Sequence, residues 1–443
     1  MKRHLICVLH IIFCAVMSSA QYSDSIPGFP ADSVGVYIEE IESGNVIADI
    51  NGDGLFIPAS VTKILTASSA LTLLNPKCRL RTDVYINGTI NDSILYGDVI
   101  IGSSGDPTLE SSFFPDRLGF PDSLASSLRT AGVKEIYGNI KVLPVRGIKE
   151  TVPYGWEIED LKWPYGAILR SMNFSDNSFT YNVAQDVCTP FVPGLKIHNV
   201  KKRKCPGLSY NPADNVLTVN RRKIRQGSES YAMTDPEASL ISAIKASLCE
   251  YNIALKEYDP SSSTDYRRIF SHLSPDMEEI LSVMMKRSHN LMAEGMLIAQ
   301  DTSGDRDSAI RHELTLWSDA GVDTTGVRIF DGSGLSRSNR LTPYFLADIL
   351  VKMQDNPYFG QFADMFPVCG VSGTVRRFLK GTSLEGKLAL KTGSMNGVQC
   401  YAGYRLDEFG QPTHIVIVMI NGFRNTRSAV KKEVEKFLLE KLS

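Results

Sequence analysis

The sequence predicts a mixed α/β chain of the α+β kind, one antiparallel sheet flanked by helices and interrupted by a large β-rich insertion. Three observations predict it. Strand-type alternation runs from Gly35 to Ile50 and returns as three β runs after Lys387, so both chain ends supply one sheet. Helical patterns stand beside those strands, from Ser60 to Leu74, after Ser274, and from Ser428 to Leu442. Between about Val84 and Tyr258, short β-type runs are separated by Asn-Gly, Gly-Asp-Pro and Pro-rich turns. The division that follows is a leader over 1–20, a domain split between 21–83 and 265–443, and an inserted β-rich region over 84–264.

Taken in order, Lys2, Arg3 and His4 precede an apolar run from Leu5 to Met17 and the small residues Ser18, Ser19 and Ala20. That is the pattern of a secretory signal cut after Ala20, and the run is too short to span a bilayer. The expected location is therefore the periplasm or cell envelope. Ser43-Gly44-Asn45 turns the first hairpin, and Asn75-Pro76 stops the first helix. Ser274 is placed as an N-cap, with Pro275 at the first helical position and Asp276, Glu278 and Glu279 complementing the helix dipole. Near the end, a strand from Lys387 to Ser394 turns at Asn396-Gly397 into Val398 to Arg405, and His414 to Ile420 follows as a buried strand. Val430, Val434, Phe437 and Leu438 give the last helix its apolar face.

Composition narrows the class. The chain has 443 residues, 43 % hydrophobic and 22 % charged, with a formal net charge of −2. This balance excludes collagenous, coiled-coil and disordered chains, and no global basic field points to nucleic acid. No later segment offers the roughly 18 uninterrupted apolar residues of a membrane span. Two of eight cysteines, Cys7 and Cys14, fall in the leader. The remaining six form no CxxC pair, and the histidines never adopt metal-ligand spacing, so no metal or cofactor is implied. Cys188 and Cys205 flank a Pro- and Lys-rich loop and are expected to form a disulfide. The basic runs Lys201 to Lys204 and Arg221 to Arg225 read as the solvated face of a hairpin around Asn211-Pro212.

Chemistry enters with three short motifs. Ser60-Val61-Thr62-Lys63 opens a helix, where residues i and i+3 share a face, so the amine can reach the hydroxyl. A hydroxyl becomes a nucleophile only when a base takes its proton, and a desolvated lysine serves. Ser288-His289-Asn290 interrupts a helical stretch, and Lys391-Thr392-Gly393-Ser394 closes a strand. S-x-x-K, S-x-N and K-T-G in that order are the signature of penicillin-recognising serine enzymes.

Ser60 and Ser288 lie 228 positions apart, more than a compact β-lactamase needs. The chain resembles the class C low-molecular-mass penicillin-binding proteins, the D-alanyl-D-alanine carboxypeptidase/endopeptidase family, which carry a large insertion there. Gly97-Asp98, Gly105-Asp106-Pro107-Thr108-Leu109, Asp331-Gly332-Ser333-Gly334-Leu335-Ser336 and Gly370-Val371-Ser372-Gly373-Thr374 extend the likeness. His289 departs from it, since many relatives have Asp or Asn there.

The resemblance implies a penicillin-binding fold and roles for the motif residues. Ser60 is the acylated nucleophile, Lys63 its base, Ser288 a proton relay and Asn290 a holder of substrate backbone and of Lys63. Lys391 and Thr392 receive the terminal carboxylate, the N–H groups of Ser60 and Ser394 form the oxyanion hole, and Gly393 lets substrate approach the strand. Asp160, after Trp156, matches an acidic residue facing the amine of a diamino acid, and Met395 touches the same side chain. The implied partners are peptidoglycan stem peptides, with β-lactam antibiotics as inhibitors. A β-lactamase-like hydrolase is the alternative, but no Glu-x-x-Leu-Asn segment stands at the required spacing. The other is a non-catalytic wall-binding or β-lactam-sensing protein, and a sensor would need a membrane span. The Gly-x-Ser-x-Gly elbow of a lipase does not occur.

Overall fold

The structure, a computed structural model, describes residues 25–258 and 266–443; the expected leader lies outside them. Strands β1 (Val34–Glu40) and β2 (Val46–Ile50) make the first hairpin. A 3-10 turn, Ala59–Thr62, leads directly into α1 (Lys63–Leu73). The sequence pattern began the α-helix at Ser60. The chain instead winds tighter there, because Ala59 enters the turn with φ 47° and the α-helical ladder starts only at Lys63. Every residue of α1 from Lys63 to Leu71 is buried, as expected for a helix enclosed on all sides.

The middle of the chain forms β3 (Arg81–Asn91), β4 (Ile94–Ser103), α2 (Phe120–Thr130), β5 (Glu135–Tyr137) and β6 (Ile140–Pro144). It continues through β7 (Ser178–Asn182), β8 (Val187–Thr189), β9 (Lys196–Val200), β10 (Leu208–Asn211), β11 (Val216–Asn220) and β12 (Ser228–Ala232). It ends with α3 (Pro236–Glu250), β13 (Ala254–Lys256) and β14 (Tyr266–Leu273). Three sheets result, ordered β13-β5-β4-β3-β14 with β6 also on β4, then β12-β7-β8, and β10-β11-β9. Arg81 opposes Leu273, so this region leaves and rejoins the chain on adjacent strands. It has its own core, in which Val84, Ile86 and Val99 meet Leu124 and Leu128 of α2 and Leu240 and Ile244 of α3.

The last third forms α4 (Met277–Arg287), α5 (Asn290–Ala299), α6 (Arg306–Asp319), α7 (Pro343–Lys352) and α8 (Phe359–Asp364). Strands β15 (Leu388–Met395), β16 (Val398–Leu406) and β17 (Pro412–Asn421) and helix α9 (Arg427–Leu442) complete it. The sheet drawn from both chain ends is present, ordered β15-β16-β17-β1-β2 and antiparallel throughout. α1 and α4 to α8 cover one face, and α9 covers the other through Val430, Val434, Phe437 and Leu438. Among the described residues no helix is long and apolar enough to cross a membrane.

Two expectations are corrected. The N-cap of α4 is Asp276, which accepts from Glu279 N–H at 3.0 Å while the Glu279 carboxylate accepts from Asp276 N–H at 2.9 Å. Ser274 is occupied elsewhere: its Oγ accepts from Leu80 N–H at 2.9 Å and donates to the Pro275 carbonyl at 2.6 Å. The six described cysteines are free. Cys188 sits on β8, in the sheet with β7 and β12, whereas Cys205 precedes β10 in a different sheet, so the expected bridge does not form.

Candidate active site

Three segments distant in sequence meet where α1 starts, between α4 and α5, and along β15. Ser60 lies in the tight turn, one residue after the left-handed Ala59. A non-glycine residue in that region costs about 1–3 kcal/mol and is retained when its surroundings over-determine it. They do so here. A Cβ at Gly393 would stand 2.3 Å from the Pro58 carbonyl oxygen and 3.1 Å from Ser60 N, and one at Gly334 would stand 1.9 Å from the Ala59 carbonyl oxygen. Gly393 is thus crowded by the nucleophile turn itself, a neighbour that the sequence reading did not consider.

Lys63 is fully buried and donates to Ser60 Oγ at 3.1 Å, Asn290 Oδ1 at 2.7 Å and the Ser333 carbonyl at 2.5 Å. Burial lowers its pKa to about 7, against the pull of the Asp331 and Glu294 carboxylates, which favour the charged form. An amine within hydrogen-bond reach of a hydroxyl and half-deprotonated near neutrality is equipped to act as a general base.

Ser288 occupies a left-handed residue (φ 59°) that ends α4, and Asn290 begins α5. His289 between them caps α5, its Nδ1 accepting from Met292 N–H at 3.3 Å, with Nε2 3.4 Å from Asp176 Oδ1. It fills the place that Asp or Asn would fill as an N-cap. Asn290 bridges two regions, since its Nδ2 donates to the Tyr165 carbonyl at 2.7 Å. Lys391 is fully buried and donates to Ser288 Oγ and to the Thr392 carbonyl, both at 2.8 Å. Burial, and next the nearby Lys63 charge, push its pKa well below the usual lysine range. Thr392 Oγ1 donates to Thr374 Oγ1 at 2.8 Å.

A cavity of about 440 Å³ opens over this cluster, lined by Ser60, Ser288, Asn290, Ser394, Met395 and Asp160 among others. Lys63, Lys391, Thr392 and Gly393 do not line it, and the two lysines lie beneath its floor. Asp160 comes from the middle of the chain, and its Oδ1 accepts from Tyr165 OH at 2.8 Å. Glu157, Tyr165, Leu335, Arg337 and Arg427 also line the wall and were not singled out from sequence as site residues. Arg337 pairs with Glu157 at 3.4 Å and donates to the Asn396 carbonyl at 3.2 Å. Of these five only Leu335 stood inside a motif of the family likeness.

That motif both lines the cavity, through Gly334 and Leu335, and holds it together. Asp331 is fully buried and accepts from Ser336 N–H at 2.7 Å, Gly334 N–H at 3.0 Å, Asn339 Nδ2 at 2.6 Å and Trp156 Nε1 at 2.8 Å. It folds the 331–336 loop against Ser60 and pins the inserted segment through Trp156. Ser336 Oγ donates to the Tyr154 carbonyl at 2.7 Å, a second tie to the same segment.

Comparison with known proteins identifies the family and the fold. The chain is 26 % identical over 432 residues to D-alanyl-D-alanine carboxypeptidase DacB of Haemophilus influenzae, covering 90 % of this chain and 88 % of the relative. It is 26 % identical over 412 residues to a D-alanyl-D-alanine carboxypeptidase of an Actinomadura species, covering 84 % and 74 %. Its fold matches the crystal structure of penicillin binding protein 4 from Haemophilus influenzae with a TM-score of 0.78 at 23 % identity, over 92 % of this chain and 95 % of that one. A predatory endopeptidase of Bdellovibrio bacteriovorus matches with a TM-score of 0.54 at 14 % identity, over 92 % and 93 %. The family model described as D-Ala-D-Ala carboxypeptidase 3 (S13) aligns with residues 18–441. With motifs, fold and profile in agreement over nearly the whole length, the chain belongs to the S13 family of serine-type D-Ala-D-Ala carboxypeptidases.

Proposed function

We propose that this chain is an exported D-alanyl-D-alanine carboxypeptidase/endopeptidase that cleaves peptidoglycan stem peptides and cross-links through an acyl-enzyme on Ser60, and that β-lactams acylate the same hydroxyl. The observation that carries the reading is the Lys63 amine, buried, with its pKa near 7 and 3.1 Å from Ser60 Oγ. Ser60 Oγ attacks the carbonyl of the penultimate D-alanine and Lys63 takes its proton. The N–H groups of Ser60 and Ser394 receive the developing oxyanion. Ser288, held by Lys391, delivers a proton to the departing amine, and water then hydrolyses the ester. Asn290 fixes Lys63 and the substrate backbone. The stem peptide lies along β15 as an added strand.

Carboxylate recognition falls to Thr392 and the exposed Ser394, and the arriving carboxylate favours the charged form of Lys391 beneath them, against the burial that disfavours it. Asp160 keeps one carboxylate oxygen for the amine of a diamino acid, its other oxygen being held by Tyr165, and Met395 supports the aliphatic part of that side chain. The charged, apolar and small-residue order of the first 20 residues supports export to the envelope, where this substrate resides.

The test is mass spectrometry of the intact protein after exposure to a penicillin, together with analysis of purified muropeptides before and after incubation. One adduct at Ser60, absent in Ser60→Ala, and loss of terminal D-alanine or of cross-links are expected. An adduct that survives Ser60→Ala or maps to Ser288 overturns the nucleophile assignment, and rapid release of hydrolysed penicillin points to the β-lactamase alternative.

A further inference from the structure

Away from the candidate site, two basic runs that are separate in the sequence become one surface. β9 and β11 pair in parallel, with Val200 opposite Asn220, so the chain leaves both strands at the same end of their sheet. Lys201-Lys202-Arg203-Lys204 follows β9 and Arg221-Arg222-Lys223 with Arg225 follows β11. Asn220 ties the loops, its Nδ2 donating to the carbonyls of Lys202 at 2.6 Å and Cys205 at 3.0 Å. Arg221 N–H donates to the Val200 carbonyl at 3.0 Å.

Between Lys196 and Gly227 nine basic residues face one acid, Asp214, in a chain whose formal net charge is −2. Apart from Arg221, whose guanidinium bonds Asp186, Asn199 and the Val183 carbonyl, the cations of both runs are exposed. None lines the site described above. Holding so many like charges together disfavours the folded state, and a counter-surface of opposite sign relieves it.

We propose that this end of the β10-β11-β9 sheet is a docking surface for the anionic phospholipid headgroups of a bilayer. Charge complementarity selects an anionic partner. The placement favours a plane over a strand: two exposed loops, tied at their base, gather the cations at one end of the sheet, where a flat array of charges can face both loops at once, whereas a polymer follows one line. The remainder of the chain carries the compensating negative charge and is repelled from the same membrane, so attraction and repulsion together fix one orientation. A basic residue at an anionic bilayer strengthens binding by roughly 5-fold, and the attraction fades beyond a Debye length.

The experiment sediments the full chain with phosphatidylcholine vesicles that contain, or lack, about one third phosphatidylglycerol, near physiological salt. Binding that requires phosphatidylglycerol and is lost on raising the salt to about 1 M is expected. A variant with Gln at Lys201, Lys202, Arg203, Lys204, Arg222, Lys223 and Arg225 should partition at least ~100-fold more weakly. Its acylation by a fluorescent penicillin should be unchanged, which shows that it is folded. Gln at Lys431, Lys432 and Lys436 of α9 should leave vesicle binding intact. Equal binding to both vesicle types, retained binding by the seven-Gln variant, or an equal loss from the α9 variant overturns the proposal. Binding to long-chain polyphosphate without binding to the vesicles overturns it in favour of an anionic polymer.

Discussion

Lys63 faces the Asp331 and Glu294 carboxylates through space while its amine donates to Ser60 Oγ. Only the neutral amine can take a proton, so below its pKa of about 7 the competent fraction falls roughly tenfold per pH unit. The rate constant for acylation of Ser60 by penicillin should therefore rise with pH through neutrality and level off above it; a flat profile from about pH 5 to pH 9 would contradict the base assignment. Glu294→Gln retains an acceptor for Ser333 N–H, now at 2.9 Å, but removes a carboxyl group whose pKa burial pushes up to about 7 and whose ionised form favours charged Lys63. The midpoint should move to lower pH in that variant, and an upward shift or none would exclude this influence. Lys391 is separable by substrate. If its charge serves the terminal carboxylate, Lys391→Ala should reduce kcat/KM for the free acid of a peptide by ~10–100-fold more than for its amide. Equal losses would confine it to holding Ser288. His289 makes a stability prediction: His289→Asp keeps the cap on α5, whereas His289→Ala should lose about 1 kcal/mol in thermal or urea unfolding.

At the scale of elements, the sequence singled out Trp156 and Asp160, and what it could not supply is the anchoring of the segment from Tyr154 to Tyr165. That segment is tied to the site by Trp156 on Asp331, by the Tyr154 carbonyl on Ser336 and by the Tyr165 carbonyl on Asn290. Trp156→Phe keeps an aromatic ring but removes the indole N–H donor from a fully buried carboxylate and leaves a small void where the second ring stood, which together should cost at least about 1–3 kcal/mol. Calorimetry should register that loss, and a melting temperature equal to the parent's would show the bond to be dispensable. The elements that carry Ser60, Ser288 and Lys391 were legible because each motif sits at a local event, a helix start, a helix break or a strand end, and these events follow from nearby residues. Glu157, Tyr165, Arg337 and Arg427 were not legible, because their common wall is made by three distant segments and no spacing encodes it. The Cys188–Cys205 expectation failed for the same reason, since closeness in sequence says nothing about which sheet each residue joins. Ser274 was displaced as a cap because Leu80 N–H, a distant partner, already uses its hydroxyl.

Across the whole molecule, the inserted region and the sheet built from both chain ends have separate cores, joined by a small apolar cluster of Ile148 and Leu169 with Leu291 and Ile298 of α5. α5 thus carries Asn290 next to the seam residue Leu291, and both meet the inserted region. Leu291→Ala should cost about 2–5 kcal/mol and weaken penicillin labelling as well, because the helix that holds Asn290 loses its support. Replacing 84–264 by a short linker should abolish labelling, since it strips the cover from Leu291, Ile298 and Asp331 together. Efficient labelling of the shortened protein would show the seam to be unnecessary for the chemistry.

The pairing of Val34 with Ile420 has a consequence for how the molecule comes into being. β1 is made near the beginning of synthesis, yet its partner β17 ends at Asn421 of 443 residues. Until then one edge of β1 is open, and β15 has no sheet on which to bring Lys391 and Gly393 up to the nucleophile. The inserted region closes on itself through β3 and β14 and can fold first, while the cutting machinery is put together last. A chain cut short before β17 should therefore be an inert, aggregation-prone product rather than a partly active one.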